Sequence, residues 1–233
     1  MLLVDCYLDD FGCPADFVPP AVDYVRVRPG HAELAEVPTS AAGYSGIVIS
    51  GSAASVLEER PWSLRLEQLV CDARDRGVPL FGICFGHQLI GKALFDAARP
   101  APLPEVGWYE VKLGEGAAAQ LPGPVPESFC CFLSHFDEVF DPGDPDFVVL
   151  ASSERCAVQA FRVEGSPIWG VQFHAEMDPI EAHGLFDLRL TKGLQLGIID
   201  ESMRDLACYD EALWRDLYDG FLARISAGAG ARP

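Results

Sequence analysis

VPLFGICFGHQ, residues 78–88, sets an apolar run against a glycine–cysteine–glycine corner. Val78–Ile83 is short, uninterrupted and apolar, the pattern of a strand buried on both faces of a parallel sheet. A helix begins at Gly86, so G-x-C-x-G spans a strand-to-helix turn. That layout is a nucleophile elbow: the glycines relieve crowding where the backbone turns, and the cysteine between them takes an unfavourable conformation. Its thiol then projects into the cleft at the carboxyl ends of the strands, where open α/β sheets place their sites. A helix N-terminus offers a positive dipole end and unpaired amides, both of which favour the thiolate. The amide of Phe85 is placed to donate to an oxyanion. A core cysteine beside a tight turn is the alternative.

Upstream, Leu2–Val4 and Gly46–Ile49 are further short apolar runs suited to buried strands. Between Ile49 and Val78, Pro61 marks a first helical turn, and Trp62, Leu66, Leu69, Val70 and Ala73 share one stripe. Gly77 sits where a left-handed C-cap belongs. Strand–helix–strand alternation implies an α/β fold with a mostly parallel central sheet between helical layers. Downstream, Trp108–Leu113, Phe147–Ala151, Ala157–Arg162 and Ile168–Phe173 form hairpin-like strands that extend the sheet as antiparallel edge strands. Pro100–Glu105 and Leu121–Glu127 are short breaks that read as loops. Trp214, Leu217, Tyr218, Phe221 and Ile225 recur at helical spacing in a closing helix that packs on the core. The 233 residues therefore read as a single domain, 1–233, with 178–209 a helical elaboration (helices near Glu181–Gln195 and Glu201–Leu206).

Composition excludes several functions. A net charge of −18 argues against nucleic acid or an anionic membrane as the main partner. The apolar runs are too short to span a bilayer, and the N-terminus lacks the basic region of a signal peptide, so the expected location is cytoplasmic. The eight cysteines include no C-x-x-C pair, which removes support for zinc ribbons and thioredoxin-like motifs, and most are expected to be reduced and inert. No metal or cofactor is implied.

A cysteine nucleophile needs a histidine in reach, itself held by a third group. Of His31, His87, His135, His174 and His183, His174 ends an apolar strand run on the sheet edge where Cys84 emerges. His87 lies on the helix after the elbow and points away. Glu176 follows His174 by two residues and shares its face if the path stays extended. H-x-E also occurs in zinc deaminases, but those require a downstream P-C-x-x-C that is absent here. The order Cys, His, Glu also differs from the Ser, Asp, His order of α/β-hydrolases. Gly51 and Ser52, in a small-residue loop after Ile49, are positioned to supply a second oxyanion amide, with an ordinary strand-to-loop turn as the alternative.

GICFGHQLIG around Cys84, together with GVQFHAE ending at Glu176, resembles the class I (triad) glutamine amidotransferases. VGWYEV (106–111) and SHFDEV (134–139) are similar to stretches that recur between those motifs. The resemblance covers about Leu2 to Glu176. It implies a flavodoxin-like three-layer sandwich and hydrolysis of the glutamine side-chain amide through a γ-glutamyl thioester. It assigns Cys84 as nucleophile, His174 as base and acid, and Glu176 as the orienting carboxylate. It also assigns the amides of Ser52 and Phe85 to the oxyanion, Gln88 to bound glutamine, and the backbone of Ser134, His135 and Phe136 to the substrate's amino-acid end. ISGSA replaces the usual L-S-G-G-P loop, and Ala175 replaces the proline of H-P-E; these departures touch no catalytic side chain.

No Walker loop is present, so an ammonia-using synthetase would be a separate partner. The favoured reading is a glutaminase subunit serving such a synthetase. A stand-alone γ-glutamyl peptide hydrolase acting on glutathione-like compounds is the alternative, and an inactive regulatory or binding subunit is a third. The 178–209 segment is left to cap the cleft, dock a synthetase, form a homodimer or pack on its own domain.

Overall fold

The computed structural model describes residues 1–8, 23–197, 199 and 210–229. Its centre is a nine-stranded sheet. Strands β1 (Leu2–Val4), β2 (Val25–Val27), β3 (Ile47–Ile49), β4 (Leu80–Ile83) and β9 (Ile168–Val171) pair in parallel, in the order β2-β1-β3-β4-β9. Beyond β9 the sheet turns antiparallel through β8 (Ala160–Val163), β7 (Phe147–Ser152), β5 (Ala98–Leu113) and the edge strand β6 (Ser128–Val139). The antiparallel half is wider than the edge strands expected, because β5 and β6 form one long hairpin that joins VGWYEV to SHFDEV, with Val106 opposite Ser134.

Helices α1 (Pro61–Arg76) and α2 (Phe85–Phe95) cover one face, and α4 (Glu211–Ala229) covers the other. The inward stripe of α1 (Trp62, Leu66, Leu69, Val70, Ala73) joins Ile47, Ile49 and Leu80 in one core, while Leu217, Tyr218 and Phe221 of α4 join Val48, Phe81 and Trp169 in the other. This is the three-layer sandwich the strand–helix alternation demands. Pro61 opens α1, and Gly77 closes it at φ 62. Helix α3 (Pro179–Leu196) packs Ala182 and Phe186 on Trp108 and Phe132 of the hairpin, in a third, smaller core.

One expectation is overturned. Pro100–Glu105 is not a loop: it lies within β5, as an irregularity between Pro100 and Glu105 where the prolines have no N–H for the ladder. Among the described cysteines, Cys6, Cys71, Cys84, Cys131 and Cys156 are free thiols, in keeping with the expectation that most are reduced, and Cys130 on β6 is disulfide-bonded. Cys13, Cys208 and the helix expected at Glu201–Leu206 fall outside the described residues. No described helix is long and apolar enough to cross a membrane.

Candidate active site

Cys84 stands between β4 and α2 at φ 48, ψ −100, one of two described non-glycine residues with positive φ. The flanking glycines explain how the turn closes. A Cβ on Gly82 would fall 2.5 Å from the Gly86 backbone, and one on Gly86 would fall 2.3 Å from the Ile49 carbonyl oxygen. Glycine is required here for close backbone approach rather than for its own φ. With the corner drawn tight, the Phe85 amide opens α2 directly after the thiol and has no intrahelical acceptor, while the Gly86 amide donates to the Ser50 carbonyl at 3.2 Å.

His174 reaches the same point from the neighbouring strand. Because Ile83 is in register with Val171, and the Cys84 amide donates to the Val171 carbonyl at 2.8 Å, the residues just past β4 and β9 emerge side by side. The chain then bridges to β6, the His174 amide donating to the Phe132 carbonyl at 2.9 Å. Glu176 Oε1 lies 2.6 Å from His174 Nδ1, both side chains being buried. Burial opposes a charge on the imidazole, but the Glu176 carboxylate and the Cys84 sulfur outweigh it and hold the pKa up, to about 10. Gly51 completes the enclosure: a Cβ there would come 2.9 Å from His174 Cε1 and 3.6 Å from Cys84 Cβ. Its loop is fixed by the buried Ser50 hydroxyl, which accepts from the Cys6 amide and donates to the Gly51 carbonyl, both at 2.9 Å.

A cleft of about 200 Å³ opens over the thiol, lined by Ser52–Ser55, Glu58, Cys84, Gln88, Ser134–Asp137 and Arg189. Ser134 contributes its carbonyl, 3.9 Å from Cys84 Sγ. Gln88 donates from Nε2 to the Asp137 carbonyl at 2.7 Å and to Gln172 Oε1 at 3.0 Å. Asp137 accepts from the Ser55 hydroxyl at 2.5 Å, tying the two rims together.

The sequence-derived residues thus converge, with one refinement. The His135 side chain turns away from the cleft, its Nε2 2.8 Å from Glu105 Oε2, so any part it plays there belongs to its backbone. Glu105 also accepts from Ser153 and Gln159, at 2.7 and 2.6 Å. Glu105, His135 and Cys156 form the one group among the described residues able to hold a metal, yet this interior site is knit by its own hydrogen bonds, and burial drives the Cys156 thiol up to about 12. His87 is buried against Phe161, and burial lowers its pKa to about 3. His183 packs on Trp108, and His31 lies near the Leu8 carbonyl.

Sequence reasoning missed Gln172, Asp137, Ser55 and Arg189. Gln172 had a signal, since it precedes His174 by two on the same face of an extended run. Arg189 carried no such mark, because only the packing of Ala182 and Phe186 shows which face of α3 turns inward. Ser55 and Asp137 had none, because their meeting spans loops far apart in sequence.

A thiol at a helix N-terminus, beside an imidazole kept cationic by a buried carboxylate, can form and break an acyl-thioester. Known proteins bear on this. The sequence profile of the family described as glutamine amidotransferase class-I matches residues 20–188. The chain is 36% identical over 178 residues to a subunit of the glutamine-hydrolyzing GMP synthase of Methanopyrus kandleri, covering 72% of this chain and 79% of that one. It is 36% identical over 136 residues to the corresponding subunit from Thermoplasma volcanium, covering 58% of this chain and 64% of that one. Against one longer GMP synthase, from Caldicellulosiruptor saccharolyticus, the matching stretch is 24% of its length. A glutamine amidotransferase structure from Thermotoga maritima superposes with a TM-score of 0.73 at 22% identity, covering 96% of each chain, a likeness of fold.

Proposed function

Because this chain belongs to the class I glutamine amidotransferase family, we propose that it hydrolyses the γ-amide of glutamine through a thioester on Cys84 and yields ammonia for a separate partner synthetase. In this reading the Cys84 thiolate attacks the γ-carbonyl carbon. The amides of Phe85 and the Gly51–Ser52 loop take the negative charge on the oxygen. His174 gives its proton to the departing nitrogen, ammonia leaves and the γ-glutamyl thioester remains. A water molecule then attacks the thioester, His174 accepts its proton, and glutamate departs as the Cys84 thiolate and the His174 imidazolium are restored. Glu176 keeps the imidazole oriented through both halves. Gln88 and the backbone of Ser134–Phe136 hold the amino-acid end. The whole chain reads as one catalytic domain.

The observation that carries this proposal is the meeting of Cys84, His174 and Glu176 over one cleft, from two adjacent parallel strands. The partner rests on the names of the relatives, which are subunits of glutamine-hydrolyzing GMP synthases. The test is glutamate release by the purified protein from glutamine and from γ-glutamyl peptides, with and without a GMP synthetase subunit, Cys84→Ser alongside. Cys84-dependent turnover of glutamine, raised by the synthetase subunit, is expected; turnover of peptides but not glutamine would replace the proposal with peptide hydrolysis.

A further inference from the structure

Helix α3 begins three residues after Glu176, and its inner face packs Ala182 and Phe186 on the hairpin. The next inward position is occupied by a cation, Arg189, where a helix of this kind would ordinarily continue with a hydrophobic residue. Its guanidinium lies 5.7 Å from the centre of the Phe136 ring and lines the cleft that holds Cys84. Its Nε is buried without a hydrogen-bond partner, and among the described residues Arg189 forms no ion pair. Leaving a buried donor unpaired is costly, so the arrangement makes physical sense if a ligand completes it.

We infer that Arg189 binds the α-carboxylate of the γ-glutamyl substrate and so selects a glutamyl group over other amides, an assignment that rests on the reading of the site as a glutaminase. Cys84 and Arg189 line one cleft, on the scale of a glutamyl group. The thiol is beside the Ser134 carbonyl, and Arg189 stacks on Phe136, two residues along β6, a step of about 7 Å. From the γ-carbonyl carbon to the α-carboxylate carbon a glutamyl chain spans about 5 Å, and a charge-assisted hydrogen bond adds about 3 Å. The charges agree as well. Glu58 and Asp137 line the same cleft, so a zwitterionic amino acid meets acids for its ammonium and Arg189 for its carboxylate. Glu58 is engaged by Arg60 and Asp137 by Ser55, neither by Arg189. The assignment also explains what the added helix contributes, since it lends the cleft a cation that the sheet does not provide.

The test uses alkylation of Cys84, which needs no turnover and no partner. The chloroketone analogue of L-glutamine and its neutral α-amide are applied to the wild type, Arg189→Gln and Arg189→Lys, with iodoacetamide as a reagent that carries no carboxylate. Saturable labelling of the wild type by the acid is expected. Arg189→Gln should raise the half-saturating concentration about 10–100-fold, Arg189→Lys should raise it less, and the α-amide and iodoacetamide should label all three proteins alike. An unchanged half-saturation in Arg189→Gln overturns the assignment and leaves the glutaminase reading standing. An equal loss for acid and amide makes the residue structural and also overturns it. A loss confined to hydrolysis of γ-glutamylglycine would move the cation to the leaving group and overturn the α-carboxylate role. Non-saturable labelling of the wild type would bring down the glutaminase reading, and this inference with it.

Discussion

Cys84 is held at φ 48, where side-chain-bearing residues are strained by about 1–3 kcal/mol. Replacing it therefore separates chemistry from stability. Cys84→Gly should be more stable than Cys84→Ala by about 1 kcal/mol in urea unfolding, since glycine tolerates that conformation, while both lose hydrolysis. The neighbouring pair has a pH signature. The His174 pKa is raised above its unfolded value of about 6.5 to about 10 in the folded protein. The stabilisation from the imidazolium is thus complete below about pH 6.5, declines as pH rises and is gone once pH passes about 10. Glu176→Gln removes the carboxylate that sustains the charge. The stability difference between wild type and Glu176→Gln, followed by urea midpoint across this range, should be largest near about pH 6 and shrink as pH approaches about 10. A difference that grew with pH would mean that the pair is neutral in the folded protein.

Among the elements, the glycines sort into those that permit a conformation and those that permit an approach. Gly77 caps α1 at φ 62, and a Cβ placed there would meet nothing within 4 Å. Gly77→Ala should cost only the left-handed penalty, about 1–2 kcal/mol. A Cβ added to Gly86 would fall 2.3 Å from the Ile49 carbonyl oxygen, so Gly86→Ala should force α2 away from β3 and cost about 3 kcal/mol or more. It should also depress hydrolysis, because the amides of α2 move with the helix. Both G-x-C-x-G glycines were legible as turn residues. What sequence left open was whether φ or crowding demanded them, since crowding depends on a strand more than thirty residues upstream. Helix α3 was likewise legible as a helix from its periodicity. Its inward arginine went unread because the pattern alone does not say which face of an isolated helix meets a cleft. The prolines at 100, 102 and 104 pointed to a loop for the opposite reason: local propensity is against a strand, and pairing with β6 on either side of the irregularity overrides it.

At the scale of the whole molecule, the cleft is built from distant stretches of chain, and the interior network around Glu105 holds some of them together. Glu105 on β5 meets His135 on β6, and Ser153 and Gln159 from the β7–β8 connection. Glu105→Ala would strand those groups in a dry interior. It should destabilise the protein by about 3 kcal/mol and weaken glutamine binding by loosening Ser134–Phe136, with both effects read from unfolding and from KM.

By itself the sequence determined the buried parallel strands, the elbow at Cys84, the partnership of His174 with Glu176 and the family, because these depend on local periodicity, on residues a few positions apart or on a motif. Only the tertiary structure decided which strand lies beside β4, how far the β5–β6 hairpin extends the sheet, where Gln88, Gln172, Asp137 and Ser55 interlock, and that α3 brings Arg189 to the cleft. These contacts join residues tens of positions apart, and their energies come from packing and burial that no local window of sequence contains.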